Sequence, residues 1–217
     1  MSRRRHFLAQ LGAAAAALAI DSDELRAASR ASTSGWDTSW LDRLASAQYR
    51  VVFNASEIND GAAMDYAATF FDHFHEVHET TDKQTRPVIV FRRLGTAMAF
   101  NDALWDRYAI GEESKIRDAA TQAPARRNVF WTSRPGASAQ SAATKLDALH
   151  ARGLISLVCN VAANNIATRW AEKLQRPVAD VRKDVTDNLI PGATLVPSGI
   201  YALIRAQNAG CAYMPGT

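Results

Sequence analysis

The chain has 217 residues, of which 47% are hydrophobic and 22% are charged, and its formal net charge is +3. Those proportions are ordinary for a globular protein with a buried core, and one main domain is the economical expectation at this length. Arg3, Arg4 and Arg5 supply three of the 25 basic residues and so account for the whole excess over 22 acidic residues. The composition therefore argues against a nucleic-acid-binding protein, and two cysteines are too few for a disulfide scaffold.

The first residues have the pattern of an export signal. Three arginines precede a short, alanine-rich apolar stretch that is too short to span a bilayer. The order Arg-Arg-His-Phe-Leu at residues 4–8 resembles the twin-arginine signal. We expect residues 1–28 to form the signal and the start of a linker, and the protein to be periplasmic with no other membrane segment. The alternatives are that this stretch begins the first helix, or that an uncleaved signal tethers the domain to the membrane.

Strands and helices alternate along the rest of the chain. Residues 29–48 are expected to form a linker and a short helix, and residues 49–217 a single domain with an aperiodic insertion at 109–143. Apolar and β-branched runs predict strands at 49–54, 87–91, 154–159, 193–197 and 211–214. Spacings of three and four residues between apolar side chains predict helices at 38–47, 64–80, 95–108, 142–151, 160–176, 177–189 and 200–208.

This alternation predicts a three-layer α/β/α domain with a five-stranded, mostly parallel sheet. Parallel neighbours need crossover connections, and the crossover helices cover both faces of the sheet. The carboxyl ends of parallel strands share one edge, where ligands and catalytic groups collect. The polar residues expected at this edge are Asn54, Glu57, Arg92, Arg93, Cys159, Asn160 and Ser198.

Cys159 is the main functional candidate because it lies where an apolar strand turns into a helix. The amides of the first helical turn, together with Arg92 or Arg93, favour an anionic sulfur there, which suits a nucleophilic or sulfur-carrying thiolate. On position alone, a buried core cysteine is equally well supported. A disulfide with Cys211 is disfavoured, because the two residues lie at opposite ends of their strands, roughly 13–17 Å apart.

Other kinds of site have weaker support. His75, His78 and Glu79 have a helical spacing that suits zinc, but they lack the HExxH order, and a solvated helix face explains them better. No metal is therefore predicted. Ser198 is not in a GxSxG turn, which argues against a hydrolase, and the isolated glycines give neither a dinucleotide fingerprint nor a phosphate loop. The sequence predicts no cofactor.

Several segments are similar to one known family. They include the strand that ends at the cysteine, a Pro-Gly turn, the sequence Val-Pro-Ser-Gly and a Gly-x-x-Tyr ending, and they lie at 101–111, 153–159, 188–192, 196–200 and 206–213. On these residues the chain resembles an exported branch of the DsrE/DsrF-like family. The resemblance implies a three-layer α/β/α domain that forms homo-oligomers. It also implies a persulfide-carrying cysteine at position 159, with a sulfur donor or acceptor protein as partner.

The leading hypothesis is an exported, sulfurtransferase-like sulfur carrier. Cys159 would hold a persulfide, Asn160 and the amides after it would favour the anion, and Arg92 or Arg93 would screen the charge. The alternative, from a different class, is a non-catalytic oligomeric module that uses the same edge of the sheet to bind a small ligand or to serve as a scaffold. An inert, buried thiol at Cys159 would favour this module.

Overall fold

A computed structural model describes residues 35–216 of the chain. The predicted signal peptide and most of the predicted linker lie outside the described residues. Of the segment expected at 29–48, the structure shows the short helix, with its buried Trp40 and Leu44. Among residues 35–216, no helix combines the length and the apolar character needed to cross a bilayer.

Strands and helices alternate as predicted. The strands are β1 (Tyr49–Ala55), β2 (Thr85–Phe91), β3 (Ile155–Cys159), β4 (Ala193–Val196) and β5 (Ala212–Pro215). The α-helices are α1 (Trp40–Ala45), α2 (Ala62–His78), α3 (Asp102–Arg107), α4 (Ile110–Glu113), α5 (Ala139–Ala143), α6 (Leu146–Arg152), α7 (Asn160–Leu174), α8 (Val178–Asp187) and α9 (Gly199–Asn208). Short 3₁₀ helices cover Asn59–Gly61 and Arg93–Ala99.

The five strands form one sheet in the order β4-β3-β2-β1-β5, and every neighbouring pair is parallel. The prediction of a five-stranded parallel sheet with helices on both faces is confirmed. The chain first adds strands on one side of β1, up to β4, and then returns to place β5 on the other side of β1. β4 and β5 are therefore the two edge strands.

Both faces of the sheet are buried, which explains why the central strands are continuous apolar runs. In β2, Ile89 and Phe91 pack into one core, and Val88 and Val90 pack into the other. All four side chains are fully buried. This alternation follows from the period of two residues along a strand, which sends successive side chains to opposite faces.

The helices after β3 and β4 cover opposite faces of the sheet. α7 contributes Ile166 and Trp170 to the larger core, which also holds residues of α2, α6 and α8. α9 contributes Ala202 and Ala206 to the smaller core, together with residues of α1. Because β3 and β4 are adjacent, the chain diverges to the two faces at the carboxyl edge of this strand pair.

The prediction of one continuous helix at 95–108 is wrong, because the structure has two shorter helices there. The chain forms the 3₁₀ helix Arg93–Ala99, becomes extended at Phe100 (φ −93°, ψ 144°) and then enters α3. Phe100 makes an isolated antiparallel bridge with Leu189, and the Asn101 side chain caps α3 by accepting a hydrogen bond from the Leu104 amide. A tertiary contact and a capping residue therefore divide the predicted helix.

The helix predicted at 142–151 begins later, as α6 at Leu146. The amides of Leu146 and Asp147 donate to the carbonyls of Phe130 and Trp131, which fixes the start of α6 against the insertion. Gly153 ends α6 with a left-handed φ of 107°, a conformation that glycine adopts readily at a helix C-terminus.

The insertion at 109–143 packs into the larger core of the domain. Ile110, Ala125 and Phe130 are buried there. Asn128 is fully buried, and its amide group donates to the carbonyls of Met98 and Phe100, both at 2.7 Å. The insertion therefore holds the segment that follows β2 in place.

Candidate functional site

A crevice lies at the carboxyl edge of the sheet, where the chain diverges after β3 and β4. Cys159 at the end of β3 is paired in register with Val196 at the end of β4. In open α/β sheets, ligands bind in crevices of this kind because the two connections leave to opposite faces. A cavity of about 470 Å³ occupies the position, and its walls come from the ends of β2, β3 and β4 and from α7 and α9. We call it the Cys159 cavity.

Cys159 lies at the start of α7 and lines this cavity. Its sulfur accepts a hydrogen bond from the amide of Ala162 at 3.4 Å. Only 6% of the residue is exposed, and the cysteine is free. Since α7 has 15 residues and starts directly after the cysteine, its first turn presents partly positive amides to the sulfur. The predicted position of the thiol at a strand-to-helix turn is confirmed.

Three arginines line the same cavity: Arg92, Arg93 and Arg169. Among the residues that the structure describes, no carboxylate lines it. The nearest acidic partners lie outside its lining, where Glu57 is 3.6 Å from Arg93 and Glu113 is 3.6 Å from Arg169. The lining of the Cys159 cavity is therefore positively charged beside the thiol, and of its three arginines only Arg92 forms no ion pair with a carboxylate of the described residues.

Arg92 is oriented from two sides. Its Nε donates to Asn54 Oδ1 at 2.8 Å, which fixes the guanidinium at the edge of the sheet. On the other side its stem packs against Gly199, where an added Cβ would come within 2.9 Å of Arg92 Cδ. Ser198 accepts a hydrogen bond from the amide of Tyr201 and so caps α9. In the Ser-Gly pair, the serine starts the helix and the glycine leaves room for the arginine.

One side of the cavity is apolar. Leu94, Val161 and Ile200 line it and are each at least half exposed, with Ile166 buried behind them. Exposed aliphatic side chains of this size are unfavourable in water unless something covers them. The cavity therefore combines a cationic wall with an apolar wall.

The predicted site residues fall into two groups. Arg92, Arg93, Cys159 and Ser198 line the Cys159 cavity together. Two others do not line it. Asn54 lies behind Arg92 and also donates to the Tyr213 hydroxyl. Asn160 is the first residue of α7 and half-buried.

Asn165 and Arg169 lie on α7 and also line the cavity, although they were not predicted from the sequence. A signal for them was present. Starting from Ala162, steps of three and four residues lead to Asn165, Ile166 and Arg169, which share the face of α7 that borders the cavity. The sequence also showed no sign of the role of Gly199, whose lack of a side chain leaves room for Arg92.

The second cysteine has a different environment. Cys211 directly precedes β5 at the opposite edge of the sheet and packs in the smaller core. Burial raises the pKa of the Cys211 thiol to about 11, although Arg50 opposes the shift. Both cysteines are free, and Cys211 is expected to be neutral and unreactive near neutral pH.

The histidine cluster on α2 is engaged in other contacts. His75 Nε2 lies 3.3 Å from Asp82, and the His78 ring stacks on Tyr49 with ring centroids 5.2 Å apart. Glu79 has a left-handed φ of 51° and ends the helix, so it does not continue the face of His75 and His78. Within residues 35–216, no group of three potential ligands is placed to hold a metal ion.

Of two further cavities, one adjoins the site. One of about 750 Å³ shares Leu94 and Arg169 with the Cys159 cavity. The other, of about 860 Å³, lies beside the insertion and is also basic, but its buried Asp118 pairs with Arg134. Burial lowers the pKa of Lys145 in its wall, and Arg127 adds to the effect. Of the three cavities, only the Cys159 cavity is lined by a cysteine.

Comparison of the chain with models of protein families, with curated proteins and with solved structures gives no match. The functional argument therefore depends on the geometry of the Cys159 cavity and on the chemistry of its residues.

Proposed function

We propose that this protein carries sulfane sulfur as a persulfide on Cys159. One observation carries the proposal: the Cys159 sulfur accepts an amide hydrogen bond from the first turn of α7 and faces a cavity lined by three arginines and no described carboxylate. Amide and guanidinium N–H groups in these positions can donate hydrogen bonds to a persulfide anion on Cys159. The resemblance of the last strands and helices to the DsrE/DsrF-like family supports the same function.

The loading step needs only a donor with a sulfane sulfur. The Cys159 thiolate attacks that sulfur, a bond forms from Sγ to it, and the donor's own S–S bond breaks. The electron pair of the broken bond leaves on the rest of the donor. Sulfur is transferred without any separate oxidant or reductant, and release to an acceptor thiolate is the same step in reverse.

Polysulfide loading tests the function directly. After reduction and incubation with polysulfide, intact-mass spectrometry should show a gain of one sulfur atom, about 32 Da, on the wild-type protein. Peptide mapping should place it on Cys159. Cys159→Ala should lose the adduct, whereas Cys211→Ala, which keeps the proposed site, should retain it.

A non-catalytic binding module is the second candidate, and the 6% exposure of Cys159 is the observation in its favour. Iodoacetamide labelling of the native protein separates the two functions. Labelling of Cys159 at a rate at least comparable with a free thiol, with Cys211 unlabelled, supports the carrier. If Cys159 stays unmodified until the protein is unfolded and polysulfide gives no adduct, the carrier function is wrong and the module remains.

Gly199→Ala tests the role of Arg92 without removing any charged or nucleophilic group. The added methyl group should push the Arg92 stem aside and reduce the reaction of Cys159 with anionic iodoacetate about threefold to tenfold. The reaction with neutral iodoacetamide should change less. The ratio of the two rates is the measurement, and the effect should be absent when Gly199→Ala is combined with Arg92→Gln, because the two changes act on the same contact.

The cellular setting belongs to the same proposal. We propose that residues 1–28 direct export by the twin-arginine route, that the domain forms a homo-oligomer, and that a partner protein supplies or receives the sulfur. A reporter fused behind residues 1–28 should be exported. A change of Arg4 and Arg5 to lysines should block that export if the proposal is right.

A further inference from the structure

The charge of the Cys159 cavity gives information about the sulfur donor. The arginine side chains of Arg92, Arg93 and Arg169 share the cavity with the thiol, and within the described chain Arg92 forms no ion pair with a carboxylate. Its Nε donates to the neutral Asn54 amide oxygen, and the terminal nitrogens of the guanidinium have no acidic partner among residues 35–216. This arrangement fits an anionic ligand that brings the missing charge.

Two helix N-termini add to the same field. α7, which starts after Cys159, and α9, which starts after Ser198, both begin at the wall of the cavity. They approach from opposite faces of the sheet, because the chain diverges between β3 and β4. Arg92 and the two helix starts together favour a bound anion beside the thiol.

The apolar wall limits what else the donor carries. Leu94, Val161 and Ile200 line the cavity and are half exposed or more. A volume of about 470 Å³ is enough for a small organic group beside an anionic head. A donor with both parts would use both walls.

We infer that the sulfur donor at this site is a small thiosulfonate anion, X–SO₂–S⁻, in which X is an oxygen anion or an organic group. The sulfonyl oxygens would lie against the arginines, and an organic X would lie against the apolar wall. This inference rests on the proposed sulfur-carrier function and goes further by naming the donor class.

The chemistry balances without another reagent. The Cys159 thiolate attacks the terminal sulfur of the donor, an Sγ–S bond forms and the donor's S–S bond breaks. The electron pair of that bond leaves on a sulfinate, or on sulfite when X is an oxygen anion. The protein then holds a persulfide anion. The guanidinium groups stabilise the charge that moves onto the sulfonyl group as it leaves.

The test compares two thiosulfonate donors on the full-length protein. Wild type, Arg92→Gln and Arg169→Gln are each incubated with thiosulfate or benzenethiosulfonate. The rate of sulfur loading on Cys159 and the release of sulfite or benzenesulfinate are then measured. Arg182→Gln is the matched control, because Arg182 is exposed on α8 and lies outside this cavity. Each loading rate is divided by the iodoacetamide rate of the same variant, which corrects for any change in the thiol itself.

Arg92→Gln should reduce the normalised loading rate about tenfold or more, because it removes charge-assisted hydrogen bonds to the leaving group. Arg182→Gln should leave the rate unchanged, and benzenethiosulfonate should load faster than thiosulfate. Loading by thiosulfonates that is insensitive to both cavity arginines would overturn the inference. So would a wild-type protein that polysulfide loads and thiosulfonates do not, although the carrier function would then stand. A protein that neither donor class loads would overturn both.

Discussion

Asn128→Asp is expected to lower the free energy of unfolding by about 3–5 kcal/mol. The Asn128 side chain is fully buried and satisfies three backbone groups at once. Its amide nitrogen donates to the carbonyls of Met98 and Phe100, and its oxygen accepts from the Phe130 amide at 2.9 Å. A carboxylate of nearly the same shape cannot donate, so two buried carbonyls would lose their partner and face a negative charge.

Urea denaturation of the two proteins measures the difference. Asn208→Asp is the matched control, because Asn208 is exposed at the end of α9. A negative charge near a helix C-terminus should lower the stability by less than about 1 kcal/mol. Burial favours the neutral form of the carboxyl group introduced at position 128, so the deficit relative to wild type should narrow as the pH falls. A loss no larger than that of the control would show that the insertion is not held through Asn128.

The strands were predictable because their signal is local. A run such as Val88, Ile89 and Val90 is apolar throughout. Successive side chains of a strand point to opposite faces, so all three are buried only when both faces of the sheet are covered. Alternation with helices then determines the parallel arrangement, and the parallel arrangement places the strand ends along one edge. The position of Cys159 beside the end of β2 follows from these steps.

The segment after β2 was not predictable in the same way. Met98 and Trp105 suggest one amphipathic helix, but the break at Phe100 depends on a bridge to Leu189, almost ninety residues later in the chain. The Asn128 contacts to Met98 and Phe100 in the same segment span 30 and 28 residues. Contacts of this kind leave no periodic pattern in the sequence. A prediction from local helix preference therefore places one helix there and misses the break at Phe100.

The site shows the same division between local and distant causes. Arg92, Arg93, Cys159 and Ser198 were found because they follow strands directly. Arg169 lies almost three turns into α7, and its role depends on which face of that helix borders the cavity. The sequence places polar residues at a strand end more readily than it orients a helix.

Gly95→Ala is expected to lower the free energy of unfolding by about 2–3 kcal/mol. Gly95 contacts the backbone at the carboxyl end of β1, at the edge of the sheet that holds the site. Gly95 does not need a left-handed backbone, so alanine would ordinarily stabilise this position by about 0.4–1 kcal/mol. Here, however, a Cβ would clash with the carbonyl oxygen of Ala55 and come within 3.1 Å of that of Glu57. These are backbone atoms, which cannot rotate away as a side chain can.

The same substitution should also move the arginines near the Cys159 thiol. The amides of Arg92 and Gly95 donate to the carbonyls of Ala55 and Ser56, and these two bonds hold the start of the 3₁₀ helix against β1. Gly136→Ala, which adds a methyl group in open space, is the matched control and should cost only the roughly 1–2 kcal/mol of its left-handed φ. For Gly95→Ala we expect a lower urea midpoint and a reduced ratio of iodoacetate to iodoacetamide labelling at Cys159, because Arg92 and Arg93 move with the segment. An unchanged or raised midpoint would show that β1 and the segment after β2 are not in close backbone contact.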